Sequence, residues 1–217
     1  MEYKITWLTL RLLPKAPVNR EEFYKAIITA LHLNSVEHKF VNVGGNRHYY
    51  SVARYKGVNI KLPFYETMSE QGFIIEMTQE GLKTVANCDT YRISELFRCF
   101  YSFIPWSSDL TVTRIDIETD YIPKKILALI PPQCLKSNST VYLGSYRSLF
   151  YGVYSENKIT YVSRHSAAAF MSEEMFSGTP ASFEIFLKDF LNNWKPHNLT
   201  SRTIVFEKEP GPSPATK

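Results

Sequence analysis

The chain has 217 residues, 44% of them hydrophobic and 14% aromatic, with a formal net charge of +4. That length holds one substantial domain, and the charge gives a mild bias towards polyanions. No apolar run approaches the roughly 18 residues that cross a bilayer, and no basic-then-apolar leader opens the chain, so a cytoplasmic protein without a membrane partner is expected. Cysteines 88, 99 and 134, with no CxxC and no paired histidine spacing, argue against a disulfide framework or a structural zinc site.

Residues 3–12 (YKITWLTLRL) alternate and are rich in β-formers, which predicts an opening strand ended by Pro14 and Pro17. Asn19 followed by Glu22 is an Asn variant of the capping box. Phe23, Ile27, Ala30 and Leu31 then recur at helical spacing, predicting a helix over 20–32. From Val36 to Met77 the chain reads as an antiparallel meander: HKFVNV, HYYSVARY, VNIKLPF and GFIIEMT, with turns at 44–45 and 56–57. Asp89 or Thr90 caps a second predicted helix whose stripe is Ile93, Leu96, Phe97 and Phe100. A strand over 110–121 follows, then a short helix near 123–130 stopped by Pro131 and Pro132.

STVYLGS, LFYGVYS and KITYVSR read as further strands. Over 181–194 the spacing of Phe183, Phe186, Leu187 and Phe190 favours helix over strand. The order predicts an α+β fold, a mostly antiparallel sheet with helices packed on one face. One domain is expected over 1–207, with a disordered, Pro-rich tail over 208–217.

The segment TVTRIDIETD, Thr111–Asp120, carries the most chemistry. Strand alternation sends Ile115, Ile117 and Thr119 one way and Arg114, Asp116, Glu118 and Asp120 the other. Like charges in line repel, and a hard cation such as Mg²⁺ or Mn²⁺ would relieve them. The alternative is a solvated face neutralised by Arg114 and nearby lysines. Glu76, in an apolar strand, either joins Asp116 from a neighbouring strand or reaches solvent at a strand end. Tyrosines 142, 146, 151, 154 and 161 crowd one stretch, interleaved with Arg147, Lys158 and Arg164. Rings and cations so mixed suit single-stranded nucleic acid, and a tyrosine hydroxyl can act as a nucleophile. The histidines are scattered and form no His–hydrophobic–His triplet. GxxxxGK[ST], GxGxxG, GxSxG and HExxH are absent, which argues against nucleotide-driven motors, dinucleotide enzymes and serine hydrolases.

The ordered succession ITWLTLRL, GFIIEMTQEG, TVTRIDIETD and VYLGSYRSLFYGVY resembles the replication initiation factor (Rep_trans) family of rolling-circle plasmids and mobile elements. Its members show a DWLT strand, then hvElsGqG, vTRlDiaiDd and lYiGSRkS…fRiYdK. The resemblance covers about residues 5–158. It implies a relaxase-like fold that nicks one strand of single-stranded or cruciform origin DNA through a 5′-phosphotyrosyl intermediate, with Mg²⁺ or Mn²⁺ as cofactor and a host helicase as a further partner. It makes Glu76 and Asp116 metal ligands, aligns Asp120 with the second acid of the family's strand, and makes Tyr154 the nucleophile and Tyr161 its reserve; Glu118 joins the expected metal set through the strand alternation above. Arg114, Arg147, Ser148, Lys158 and Arg164 would then contact DNA. Gly152 stands where the motif has arginine, and Ser182-Phe183-Glu184 lacks the arginine of a later RvE. A non-catalytic nucleic-acid-binding or structural protein that keeps the fold is therefore the alternative reading.

Overall fold

The computed structural model describes residues 3–14, 18–42, 44, 49–63, 72–86, 109–135, 140–144, 150–169, 179–195 and 204–206. Their strands are β1 (Tyr3–Leu13), β2 (Val41–Asn42), β3 (Tyr49–Tyr55), β4 (Val58–Pro63), β5 (Phe73–Thr78), β6 (Asp109–Thr119), β7 (Thr140–Leu143), β8 (Phe150–Ser155), β9 (Lys158–Arg164) and β10 (Ile204–Phe206). They form one sheet in the order β10-β7-β8-β9-β6-β1-β5-β4-β3-β2. Every pairing is antiparallel. The helices are α1 (Arg20–Ala30), α2 (Gln79–Ala86), α3 (Lys124–Leu127), α4 (Ser166–Ala169) and α5 (Pro180–Asn193), with a 3₁₀ turn at Asn34–Lys39. The fold is α+β, and among the described residues no helix is long and apolar enough to cross a membrane.

Alternation gives the sheet one apolar face. Leu8, Leu10 and Leu12 of β1 pair with Met77, Ile75 and Phe73 on one side and with Ile115, Val112 and Leu110 on the other. All are buried, and Phe23, Ile27 and Ile28 of α1 and Leu187 and Leu191 of α5 join the same core. Each such fully buried side chain contributes roughly 1.5–3 kcal/mol of hydrophobic stabilisation before entropy is counted. The ring of Phe23 lies 4.3 Å from that of Phe73. Two irregularities in the β1–β6 ladder, at Thr6 and Thr113, keep the leucines on the core side despite the extra residues.

Helix α1 starts as expected: Asn19 Oδ1 accepts from the amides of Glu21 (2.9 Å) and Glu22 (3.2 Å). The segment at 181–194 is helical, opened by reciprocal bonds between Thr179 and Ser182 with Pro180 at its first position. HKFVNV differs from expectation, since a 3₁₀ turn occupies Asn34–Lys39 and leaves only a two-residue strand. Three elements go beyond the sequence reading, namely α2, α4 and β10, which pairs with β7. The helix expected from Asp89 or Thr90 and the tail over 208–217 lie outside the described residues.

The β3–β4 hairpin turn is braced against the start of α2. Gly57 has a positive φ of 74°, and a Cβ there would lie 2.3 Å from Thr78 Oγ1 and 2.5 Å from the Gly81 nitrogen. Only glycine tolerates both the conformation and the approach.

Candidate nucleic-acid interface

The second face of the sheet is polar. The described strands contain eleven charged residues, and the pairing registers put all of them on this face: Lys4, Arg11, Arg54, Lys61, Arg114, Lys158 and Arg164 against Glu76, Asp109, Asp116 and Glu118. Seven cations against four carboxylates leave +3 here, most of the +4 carried by the whole chain. Trp7, Tyr142 and Tyr151 share the face.

Thr9 sits at the centre, paired with Glu76 on β5 and with Arg114 on β6. Glu76 and Asp116 are therefore on the same side of the sheet, but their strands are not neighbours because β1 runs between them. Two strand spacings of about 4.8 Å and an offset of two residues separate their backbones by about 12 Å.

Each carboxylate has its own cation. Glu76 Oε2 accepts from Asn59 Nδ2 (2.6 Å) and Oε1 from Lys61 Nζ (2.5 Å). Asp116 is 7% exposed, and its two oxygens accept from Arg114 Nε (2.8 Å) and from a terminal nitrogen of the same guanidinium (2.6 Å). The i, i+2 spacing along one strand permits this fork because both side chains leave the same face. Burial disfavours the Arg114 cation. The hydrogen bonds and charge of Asp116, helped by Tyr151 and Glu76, outweigh that and hold its pKa above the ordinary value. Glu118 lies 3.6 Å from Lys158. A shallow cleft lined by Tyr3, Lys4, Glu118, Thr119, Asp120 and Lys158 holds the last two acidic residues at the far end of β6.

The four expected metal ligands are thus strung along the sheet rather than gathered. Among the described residues no group of three His, Cys, Asp or Glu side chains could hold a metal ion. The arrangement does not fit a divalent cation, since every oxygen of Glu76 and Asp116 already accepts from a protein N–H. Protein cations supply the countercharge at Glu76, Asp116 and Glu118.

Tyr154 and Tyr161 lie on the opposite side from Asp116, which corrects their expected position. Tyr154 is 2% exposed in the core, its hydroxyl 3.2 Å from Asn157 Oδ1. Tyr161 meets the Trp194 ring edge-on at 5.0 Å, and its buried hydroxyl has no hydrogen-bond partner; burial pushes its pKa far up, with a smaller push from Tyr121. Gly152, beside them on the core face, would bring a Cβ within 3.3 Å of Trp194 and Ile159, a tight contact among apolar neighbours.

Of the expected DNA contacts, Arg114, Lys158 and Arg164 share the polar face, while Arg147 and Ser148 lie outside the described residues. Arg114 and Arg164 are directly opposite one another on β6 and β9. Like charges so placed cost stability unless an anion answers them. Arg114 stacks over the Trp7 ring at 4.4 Å, and Arg164 over the Tyr151 ring at 5.1 Å while donating to its hydroxyl (3.1 Å). Trp7 donates through Nε1 to Thr9 Oγ1 (2.9 Å). Tyr151 is pushed up first by burial and further by Asp116 and Tyr142, against the opposing pull of Arg164 and Arg114.

Sequence reasoning missed Trp7, Asn59, Lys61 and the position of Tyr151. Parity was the available signal: Trp7, Thr9 and Arg11 alternate with three leucines, and Tyr151 and Tyr154 are three residues apart, hence on opposite faces.

No family model matches the chain, and no curated protein matches it either. Among solved structures it is similar to a rolling-circle replication initiator protein from Geobacillus stearothermophilus, with a TM-score of 0.54 and 16% identity over 81% of this chain and 78% of that one. This likeness shows a shared fold. The TBP of Methanococcus jannaschii also matches, with a TM-score of 0.35 and 11% identity over 88% of this chain and 96% of that one, too weakly to carry an argument.

Proposed function

We propose that the chain is a DNA-binding replication initiator of the rolling-circle type whose polar sheet face takes a single strand of origin DNA. One observation carries the reading: every charged side chain of the described strands lies on one face, cations in excess, with Arg114 and Arg164 side by side next to Trp7 and Tyr151. Guanidinium groups neutralise phosphates, and the flanking rings supply planar surfaces on which unpaired bases stack. The fold shared with a replication initiator supports the same assignment.

Fluorescence anisotropy with labelled single-stranded and duplex DNA, across a salt series, tests it. Single strands are expected to bind more tightly, with affinity falling linearly in log salt by about 0.7 per phosphate neutralised. Arg114→Gln and Arg164→Gln are each expected to weaken binding and flatten that slope. Salt-independent binding, or a preference for duplex, would overturn the proposal.

A further inference from the structure

We propose that Asn59 and Lys61 form a second phosphate subsite, filled by the Glu76 carboxylate until a single strand crossing the sheet displaces it. This rests on the DNA-binding reading above. The pairing registers line up Arg54, Asn59, Glu76, Thr9, Arg114 and Arg164 as successive cross-strand partners on β3, β4, β5, β1, β6 and β9. The row runs at right angles to the strands, and four spacings of about 4.8 Å put Arg164 and Asn59 about 19 Å apart. Trp7 and Tyr151 belong to the next row, two residues along, with Asp116 and Val162 between them. A DNA strand laid across the sheet therefore meets charged and hydrogen-bonding groups along one line and rings along its parallel. Of the six residues in the first line, Glu76 is the one acid.

The groups around that acid are those a phosphate needs. Lys61 Nζ (2.5 Å) and Asn59 Nδ2 (2.6 Å), both from β4, each donate to one oxygen of the carboxylate. A phosphodiester presents two non-bridging oxygens with the same single negative charge, and lysine is a common partner for it. The side chains of Lys61 and Glu76 are 21% and 22% exposed, so the carboxylate reaches water by side-chain rotation. Hydration there offsets the lost ion pair, and the incoming phosphate restores the bonds to Lys61 and Asn59. Asp116 does not exchange in this way, because its side chain is 9% exposed and one guanidinium holds both of its oxygens. The two acids thus differ in role: Asp116 fixes Arg114, and Glu76 keeps a place for DNA.

The test uses the full chain and a labelled single-stranded oligothymidylate, followed by anisotropy in EDTA across a salt series. Glu76→Gln keeps the shape of the side chain and removes its charge, and should tighten binding about threefold, the worth of one partly exposed ion pair. Combined with Lys61→Gln the gain should vanish, because the released cation is what the phosphate meets. Lys61→Gln by itself should weaken binding and lower the slope in log salt by about 0.7, a readout that stands even if Glu76→Gln fails to fold. A Lys61 that stays with Glu76 leaves that slope unchanged, and this result overturns the proposal. Equal or weaker binding by Glu76→Gln, or a gain that persists without Lys61, overturns it too. Arg114→Gln and Arg164→Gln separate the two readings. If they weaken binding while changes at Glu76 and Lys61 do nothing, the second subsite alone falls; if the unaltered chain binds no single strand, both fall.

Discussion

The two faces of this sheet are made by the same strands in the same register, yet they are organised differently. On the core side neighbouring side chains are interchangeable in kind: Leu8, Ile75, Met77 and Ile115 need only fill space in low-energy rotamers, and α1 and α5 close over them. On the polar side Glu76, Asp116 and Glu118 each have a particular cation at a particular distance, and one substitution leaves another group uncompensated. The core side should therefore report on stability and the polar side on binding. Asp116 is an exception, since its burial gives the Arg114 pair a structural role as well.

Mutations can break or sharpen that contrast. Tyr161→Ala is expected to be the most damaging, at about 3–5 kcal/mol by urea denaturation, because it opens a cavity beside Trp194. At temperatures where it still folds, its affinity for single-stranded DNA should match that of the unaltered chain. Arg114→Ala should cost about 3 kcal/mol by leaving the buried Asp116 carboxylate unpaired, and Arg114→Met combined with Asp116→Leu should recover most of that stability but not the DNA affinity. Tyr154→Phe removes one hydrogen bond, to Asn157, and should cost about 1 kcal/mol or less. Lys158→Ala should barely alter the unfolding midpoint, since exposed ion pairs contribute about 0–1 kcal/mol. If Lys158 meets a phosphate, the same change lowers the salt dependence of DNA binding by about 0.7.

Much of this architecture was legible in the chain. The alternation of Ile115 and Ile117 with Arg114, Asp116 and Glu118 is physical periodicity, and the structure keeps it. Asn19 announced α1 for an equally local reason. What periodicity cannot supply is which strands are neighbours. Glu76 could be read either as joining Asp116 from a neighbouring strand or as reaching solvent, and the two share a face without being neighbours because β1, far away in sequence from β6, inserts between them. The tyrosines show a different lapse. Motif position points to Tyr154, whereas parity puts it on the opposite face from Tyr151, three residues earlier. Helix α2 follows β5 without a loop, so its start signal was easy to pass over: Thr78 Oγ1 accepts from the Gly81 amide at 3.3 Å, and Glu80 lies in the first turn.

The tight turn at Gly57 reaches further than its own hairpin. Asn59 and Lys61, the two groups that hold Glu76, follow it by two and four residues on β4. Their aim depends on where that strand begins, and a slip by a single residue would swing both to the hydrophobic side. A methyl group at 57 would therefore set a distant acid loose, and the first symptom would be a carboxylate without its restraints rather than a damaged interior.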